Sequence, residues 1–280
     1  MRRSIIVILP IFIISIALGC ARKQEGIQWA GSLEEALQVA RESNQHVLVE
    51  VYTKTCKWCQ ALAETTFADS GLVVFSRQFC WARIDAQEDS LWAREFRVFG
   101  YPTTMLLEPN GQEVDRIVGY LRPEPFMAEL NGYLMGRGTF ASLQKKVEEG
   151  STDPELLFAL GEKYHQRGLW DQSLSLFEKV VLLDPENQRG IADDALSYQG
   201  EALRRVKRTD EAVDRFRQLM ERYPQSDLAE DAQLEIGYTY QKAERNQEAV
   251  AVYREFLRHH PGHQHEEWVN KQLEKLAEEL

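Results

Sequence analysis

The sequence predicts two architectures in tandem: an α/β domain, then an all-α array of helical repeats. Three observations carry this reading. Strand-like apolar runs at 46–52, 79–85 and 105–108 alternate with helical period in the first half of the 280 residues. From Asp153 onward the strand pattern vanishes and helical period dominates. In that second half, four landmark positions recur at shared intervals.

The chain opens with Arg2 and Arg3, followed by an uncharged apolar run over 4–19. As a helix this run spans about 24 Å, short of the roughly 30 Å hydrocarbon core, so it reads as a signal segment rather than a membrane span. It ends in Ile16-Ala17-Leu18-Gly19-Cys20. That ending resembles a bacterial lipoprotein signal, which implies cleavage before Cys20 and a lipid on its thiol. Relative to the family pattern, Ala17 and Leu18 stand swapped. The alternatives are a plain signal peptide or an uncleaved anchor, with a chance cysteine. Any of these readings places the protein outside the cytoplasm, and the lipoprotein resemblance implies the bacterial cell envelope, on the periplasmic side. Ala21 rather than Asp after Cys20 implies the outer membrane in a double-membraned bacterium. Residues 20–26 read as a polar tether.

Ser32 and Glu35 form a capping-box pattern ahead of a helix over 33–42, whose apolar face is Leu33, Ala36, Leu37 and Ala40. Trp29 reads as packing for it. The strand over 46–52 follows, then Cys56-Lys57-Trp58-Cys59, then an amphipathic stretch over 60–67 that reads as helix. Two thiols three positions apart lie one helical turn from each other, at a helix N-terminus where unpaired N–H groups favour an anion. A thiolate is stabilised there, and the thiolate is the nucleophile of disulfide exchange. Cys56, at the exposed tip, would attack; Cys59, one turn in, would resolve. The alternatives are half a zinc site or an inert structural disulfide. Zinc needs a second Cys pair or a Cys/His pair at ligand spacing. Cys80 is the other cysteine of the chain's body and has no histidine at matching spacing, so neither metal nor cofactor is expected. Cys80 itself reads as a small buried hydrophobe in its strand.

Further on, Gly100-Tyr101-Pro102-Thr103-Thr104 precedes the strand over 105–108, and Pro109-Asn110-Gly111 reads as a hairpin turn to a strand over 113–118. A helix is expected over 123–134. With the strand–Cys-x-x-Cys–helix junction and Glu50 six residues before Cys56, residues 28–133 resemble the thioredoxin family. The resemblance implies the thioredoxin fold, a central mixed sheet flanked by helices. It implies that Glu50 stands where the family keeps a buried acid that exchanges protons with the resolving cysteine, though strand pattern alone also allows a solvent-facing Glu50. It implies a cis peptide before Pro102, facing the cysteines, with the backbone beside it pairing a substrate strand. Substrate contact is therefore expected at Lys57, Trp58, Tyr101, Pro102 and Thr103. Thioredoxins proper have Gly-Pro between the cysteines and Trp before the first. Here Lys57-Trp58 and Thr55 stand there, which bears on potential and electron direction rather than on the dithiol chemistry. The longer run through Phe67 looks more like the secreted and membrane-attached branch.

Gly136 and Gly138 mark a linker, and a short helix is expected over 140–149. Beyond it Gly161, Gly200 and Gly237 lie 39 and 37 apart; Ser173, Ala212 and Ala249 keep those intervals, as do Phe177, Phe216 and Tyr253, and Pro185, Pro224 and Pro261. The order Gly, small residue, aromatic, Pro resembles the tetratricopeptide repeat, with Tyr164 and Tyr240 at its tyrosine position. The family period is 34. The excess lies after each Pro, because Gly and Pro stay 24 apart in every unit. Small residues let paired helices approach, the aromatic fills the gap, and Pro ends the second helix. Residues 266–280 read as a capping helix packing Trp268, Leu273 and Leu276 on the open end. His259, His260, His263 and His265 read as cations at a helix C-terminus rather than a metal site. The expected boundaries are a signal over 1–19, tether 20–26, thioredoxin-like domain 27–136, linker helix 137–152, three repeats 153–263 and cap 264–280.

A formal net charge of −11 without a basic patch argues against nucleic acid. The expected activity is a membrane-anchored, extracytoplasmic thiol–disulfide oxidoreductase, a reductase, using Cys56 and Cys59. Its partners would be protein disulfide substrates, a membrane thiol-electron donor, a protein or peptide held by the repeats, and the membrane through Cys20. The alternative is a non-catalytic envelope-assembly adaptor in which the thioredoxin-like module is passive.

Overall fold

The structure is a computed structural model that describes residues 26–279; the expected signal segment and Cys20 lie outside the described residues. Helix α1 (Leu33–Ser43) starts where Ser32 accepts from the Glu35 amide at 3.2 Å. The Glu35 carboxylate reaches back to the Gly31 amide, one residue before the position a capping box serves. Asn44, left-handed at φ 53°, ends the helix. Strand β1 (His46–Tyr52) follows. Next is α2 (Lys57–Ala61), which passes into a π-helical turn over Leu62–Thr66 instead of the continuous α-helix expected over 60–67. The wider turn lets the Thr66 hydroxyl donate to the Leu121 carbonyl at 2.5 Å while Phe67 enters the core. Then come α3 (Ser70–Phe75), β2 (Phe79–Asp85), α4 (Ser90–Glu95), β3 (Thr103–Leu107), β4 (Glu113–Val118) and α5 (Pro123–Leu134).

The strands form a mixed sheet of order β2-β1-β3-β4, parallel between β1 and β2 and antiparallel elsewhere. Alternation divides the core between two faces. Val47, Val49, Val51, Met105 and Leu107 pack with α1 and α4 on one; Leu48, Leu106 and Ile117 pack with Leu62, Phe67, Phe126 and Leu130 on the other. The turn between β3 and β4 has Gly111 at φ +91°, the conformation the Asn-Gly signal predicts.

The second half is helical throughout: α6 (Phe140–Glu148), then the pairs α7 (Pro154–Gln166) with α8 (Trp170–Leu183), α9 (Ala192–Arg205) with α10 (Thr209–Arg222), and α11 (Ala229–Lys242) with α12 (Asn246–His259), and finally α13 (Glu266–Glu279). The landmarks do what their chemistry suggests. A Cβ on Gly161, Gly200 or Gly237 would stand 2.8, 2.5 and 2.5 Å from the rings of Phe177, Phe216 and Tyr253 respectively. Each Pro lies two residues past the end of its helix. Leu276 and Val269 of α13 are fully buried, and Trp268 sets its edge against Tyr253 at 5.8 Å. His259 lies in the last turn of α12, as expected, and the other three histidines differ. His260 and His263 stand 3.3 and 3.2 Å from Glu230, and His265 stands 3.6 Å from Asp231. They face the acidic first turn of α11, a helix N-terminus, so side-chain carboxylates and not a helix's own carbonyls hold them.

Candidate functional site

β1 delivers the chain to the sheet end where the Cys56–Cys59 pair sits. Val51 of β1 pairs with Thr103 of β3, and Thr103 pairs with Val118 of β4, so the cysteines, the Tyr101–Pro102 bond and the end of β4 share one edge of the sheet. Cys56 and Cys59 are joined in a disulfide with Cα atoms 5.2 Å apart. Cys56 caps α2: its Sγ accepts from the Cys59 amide at 3.0 Å. In the dithiol form the same N–H points at the Cys56 sulfur and favours its thiolate. Cys56 is half-exposed and Cys59 is buried.

Lys57 and Trp58 are exposed between them. The Trp58 indole stacks on Tyr120 with ring centres 5.8 Å apart. Tyr120 in turn shares a hydrogen bond with Thr65 at 3.1 Å, so the loop after β4 braces the helix carrying the cysteines. Sequence reasoning missed Tyr120, because nothing local ties it to residues sixty positions earlier. The Lys57 ammonium also reaches the field of the last helix: the Glu267 carboxyl on α13 is held low by Lys271 first and, in smaller part, by Lys57.

Glu50 lies on the Leu48 face of β1, the face on which Leu62 and Phe67 pack, and it is fully buried. A solvent-facing Glu50 is therefore excluded. Arg83, directly across on β2, brings its Nε to 2.7 Å from Oε2. The pairing is ionic rather than a directed hydrogen bond, and among the described residues neither oxygen of Glu50 has a well-aligned donor. Burial pushes the carboxyl up to about 7, against the downward pull of Arg83. Arg83 was not singled out from sequence. It lies over the rings of Tyr52 and Trp29, at 4.5 and 4.9 Å, which hold it in place.

The Tyr101–Pro102 peptide is cis. Tyr101 is exposed and Pro102 is buried. The Pro102 carbonyl accepts from the Gly119 amide at 2.8 Å. Thr103 is buried as well, and its hydroxyl donates to the Gly100 carbonyl at 2.8 Å, so it shapes the turn and offers little surface. Cys80 is unbonded and half-buried, with its sulfur 3.8 Å from Gln45 Oε1, rather than fully enclosed as expected. Burial raises its thiol pKa.

Residues 33–133 match the thioredoxin-like domain family, residues 156–189 the tetratricopeptide repeat, and residues 193–270 an outer membrane lipoprotein family. The chain is 32% identical over 116 residues to a protein disulfide-isomerase of Oryctolagus cuniculus, covering 35% of this chain and 23% of that one. It is 26% identical over 111 residues to the thiol:disulfide interchange protein DsbD of Ralstonia nicotianae, covering 37% and 18%. A solved thioredoxin from Thermus thermophilus is 28% identical, with a TM-score of 0.35 over 38% of this chain and 85% of that one. The chain thus spans less than a quarter of the length of these curated relatives. It carries a thioredoxin-like domain that retains the Cys-x-x-Cys pair, followed by tetratricopeptide repeats.

Proposed function

We propose that the chain is a thiol–disulfide oxidoreductase of the bacterial envelope, working as a reductase of protein disulfides. The observation that carries this is the pairing of a half-exposed Cys56 with a buried Cys59 at a helix start, backed by a buried carboxyl whose pKa lies near neutrality. In the dithiol form the Cys56 thiolate attacks one sulfur of a substrate disulfide. A mixed disulfide forms and the other substrate sulfur leaves as a thiolate. Glu50 takes the proton of Cys59, whose sulfur attacks Cys56. The second substrate thiol is released, the substrate has gained two electrons, and the chain is left with the Cys56–Cys59 disulfide. A membrane thiol-electron donor returns the two electrons. Lys57, Trp58 and the Tyr101–Pro102 edge contact the substrate, and the repeats recruit it or a partner complex. A lipid on Cys20 anchors the protein, and the outer membrane lipoprotein match over 193–270 supports that membrane.

The same match favours a second reading, an envelope-assembly adaptor with a passive redox module. A Cys56→Ser, Cys59→Ser variant separates the two: full function in cells would sink the enzymatic reading. The reduction potential of the pair tests the direction. A value near or below about −200 mV fits a reductant, and one near about −120 mV would reverse the assignment to oxidant or isomerase.

A further inference from the structure

Between the two halves of the chain lies a cavity of about 240 Å³. Phe99, Gly100 and Val118 line it from the thioredoxin-like side, and Glu162, Gln166 and Trp170 from the first repeat. Gly100 is two residues before the cis Pro102, and Val118 pairs with Thr103, so the cavity opens on the edge of the sheet that carries the cysteines. Its walls are aromatic. Phe99 and Trp170 meet at 5.4 Å between ring centres, and Tyr198 lies behind them against His165 at 5.0 Å.

Two carboxylates, Glu162 and Glu201, and the Gln166 side chain face this space with one guanidinium, Arg205, and the His165 imidazole. Glu162 receives the Tyr198 hydroxyl on Oε1 at 3.1 Å. Lys163 is engaged by Asp115 at 3.1 Å, and Arg205, on the cavity wall 5.7 Å from the centre of the Trp170 ring, is paired with Glu201 at 3.2 Å, which leaves Glu162 as the cavity's carboxylate outside an ion pair among the described residues. Gln166 Oε1 is buried and has no hydrogen-bond partner among the described residues. Burial raises the Glu162 carboxyl and Asp194 and Glu129 push it the same way, against the Tyr198 hydroxyl and the Lys163 charge. A primary ammonium supplies what is missing: one positive charge and three N–H donors on an apolar stem that the aromatic walls can cover.

Building on the reductase reading, we propose that this cavity is a specificity subsite for a lysine side chain of the protein substrate, with Glu162 as its counter-ion and Gln166 Oε1 as a second acceptor. The lysine would lie a few residues along the extended strand from the substrate cysteine, while the cysteine faces Cys56.

Two peptide series test this, each scanning one position two to six residues from a cysteine replaced by serine, carrying either lysine or its uncharged isostere norleucine. Binding to the full chain is measured by calorimetry. At the best offset lysine binds about tenfold tighter, the scale of one charge-assisted hydrogen bond. Glu162→Gln brings the ratio close to one while leaving the reduction rate of dithiodipyridine, a small neutral disulfide, unchanged. Equal affinity at every offset, or no binding of either series, overturns the subsite. An arginine peptide that matches lysine would also overturn it as a site for an ammonium. A chain that prefers lysine but leaves dithiodipyridine oxidised keeps the subsite and loses the reductase reading.

Discussion

Lys163 Nζ of the first repeat stands 3.1 Å from Asp115 Oδ2 of β4, and both side chains are buried. They belong to a network that fastens the solenoid to the sheet. Arg167 bridges Asp115 and Glu113 at 2.8 and 2.7 Å. Arg116 holds Glu113 and donates to the Phe96 and Arg97 carbonyls at 2.8 and 3.0 Å. The Phe140 amide, at the start of the connecting helix, donates to Asp115 at 2.7 Å. Three cations thus surround two carboxylates, and Asp115 serves both halves of the chain.

Removing one partner of such a network leaves buried charge uncompensated, which costs about 3 kcal/mol. Asp115→Asn should therefore destabilise the chain by about 3 kcal/mol, with the solenoid and the sheet both losing protection from hydrogen exchange at their junction. Denaturant unfolding at constant m-value measures it. A variant as stable as the parent would show that the network merely decorates the interface.

Glu50 gives stability a pH dependence of unusual sign. Its carboxyl titrates near 7 in the folded chain and at about 4.3 when unfolded. Between those values the folded state holds the extra proton, so stability falls as pH rises through the window from about 4 to 7. The full loss is on the order of 3 kcal/mol. Glu50→Gln should flatten this slope and match or exceed the parent's stability at pH 8, while slowing release of the mixed disulfide about tenfold to hundredfold. Urea titrations at pH 5 and pH 8 check the first part. An unchanged slope in the variant would mean that Arg83 keeps the carboxylate ionised throughout this range.

Arg83 supplies the opposing pull, so Arg83→Met should raise the Glu50 carboxyl further. The pH midpoint for resolving the mixed disulfide should move upward, by about one unit or more, without loss of the fold. The measurement is the pH profile of mixed-disulfide release in stopped flow. An unmoved midpoint would detach Glu50 from that step.

Local chemistry explains which features could be read in advance. The Asn-Gly hairpin, the Ser32 cap and the strand–Cys-x-x-Cys–helix junction each depend on a few adjacent residues. The Gly and aromatic landmarks are visible because they repeat. The Glu50–Arg83 pair depends on β1–β2 register, the Trp58–Tyr120 stack on where the β4 loop returns, and the Asp115 network on how two architectures dock. None of those distances is encoded in sequence spacing. The π-helical turn at Leu62–Thr66 is another case, since an amphipathic run cannot distinguish it from α-helix.

The repeat landmarks yield a test in which two general effects oppose each other. Gly→Ala inside a helix ordinarily stabilises by about 1 kcal/mol, because alanine loses less backbone freedom. At Gly200 a new Cβ would stand 2.5 Å from the Phe216 ring, which is fully buried between α9 and α10. The ring has no room to retreat, and overpacking of this kind costs about 1–3 kcal/mol. Gly200→Ala should therefore destabilise the solenoid despite the gain in propensity. Adding Phe216→Leu should recover part of the loss, because the smaller side chain frees the space the methyl needs. A double-mutant cycle on thermal unfolding reads the coupling directly. If Gly200→Ala is stabilising, the close approach of α9 to α10 is not what this glycine provides.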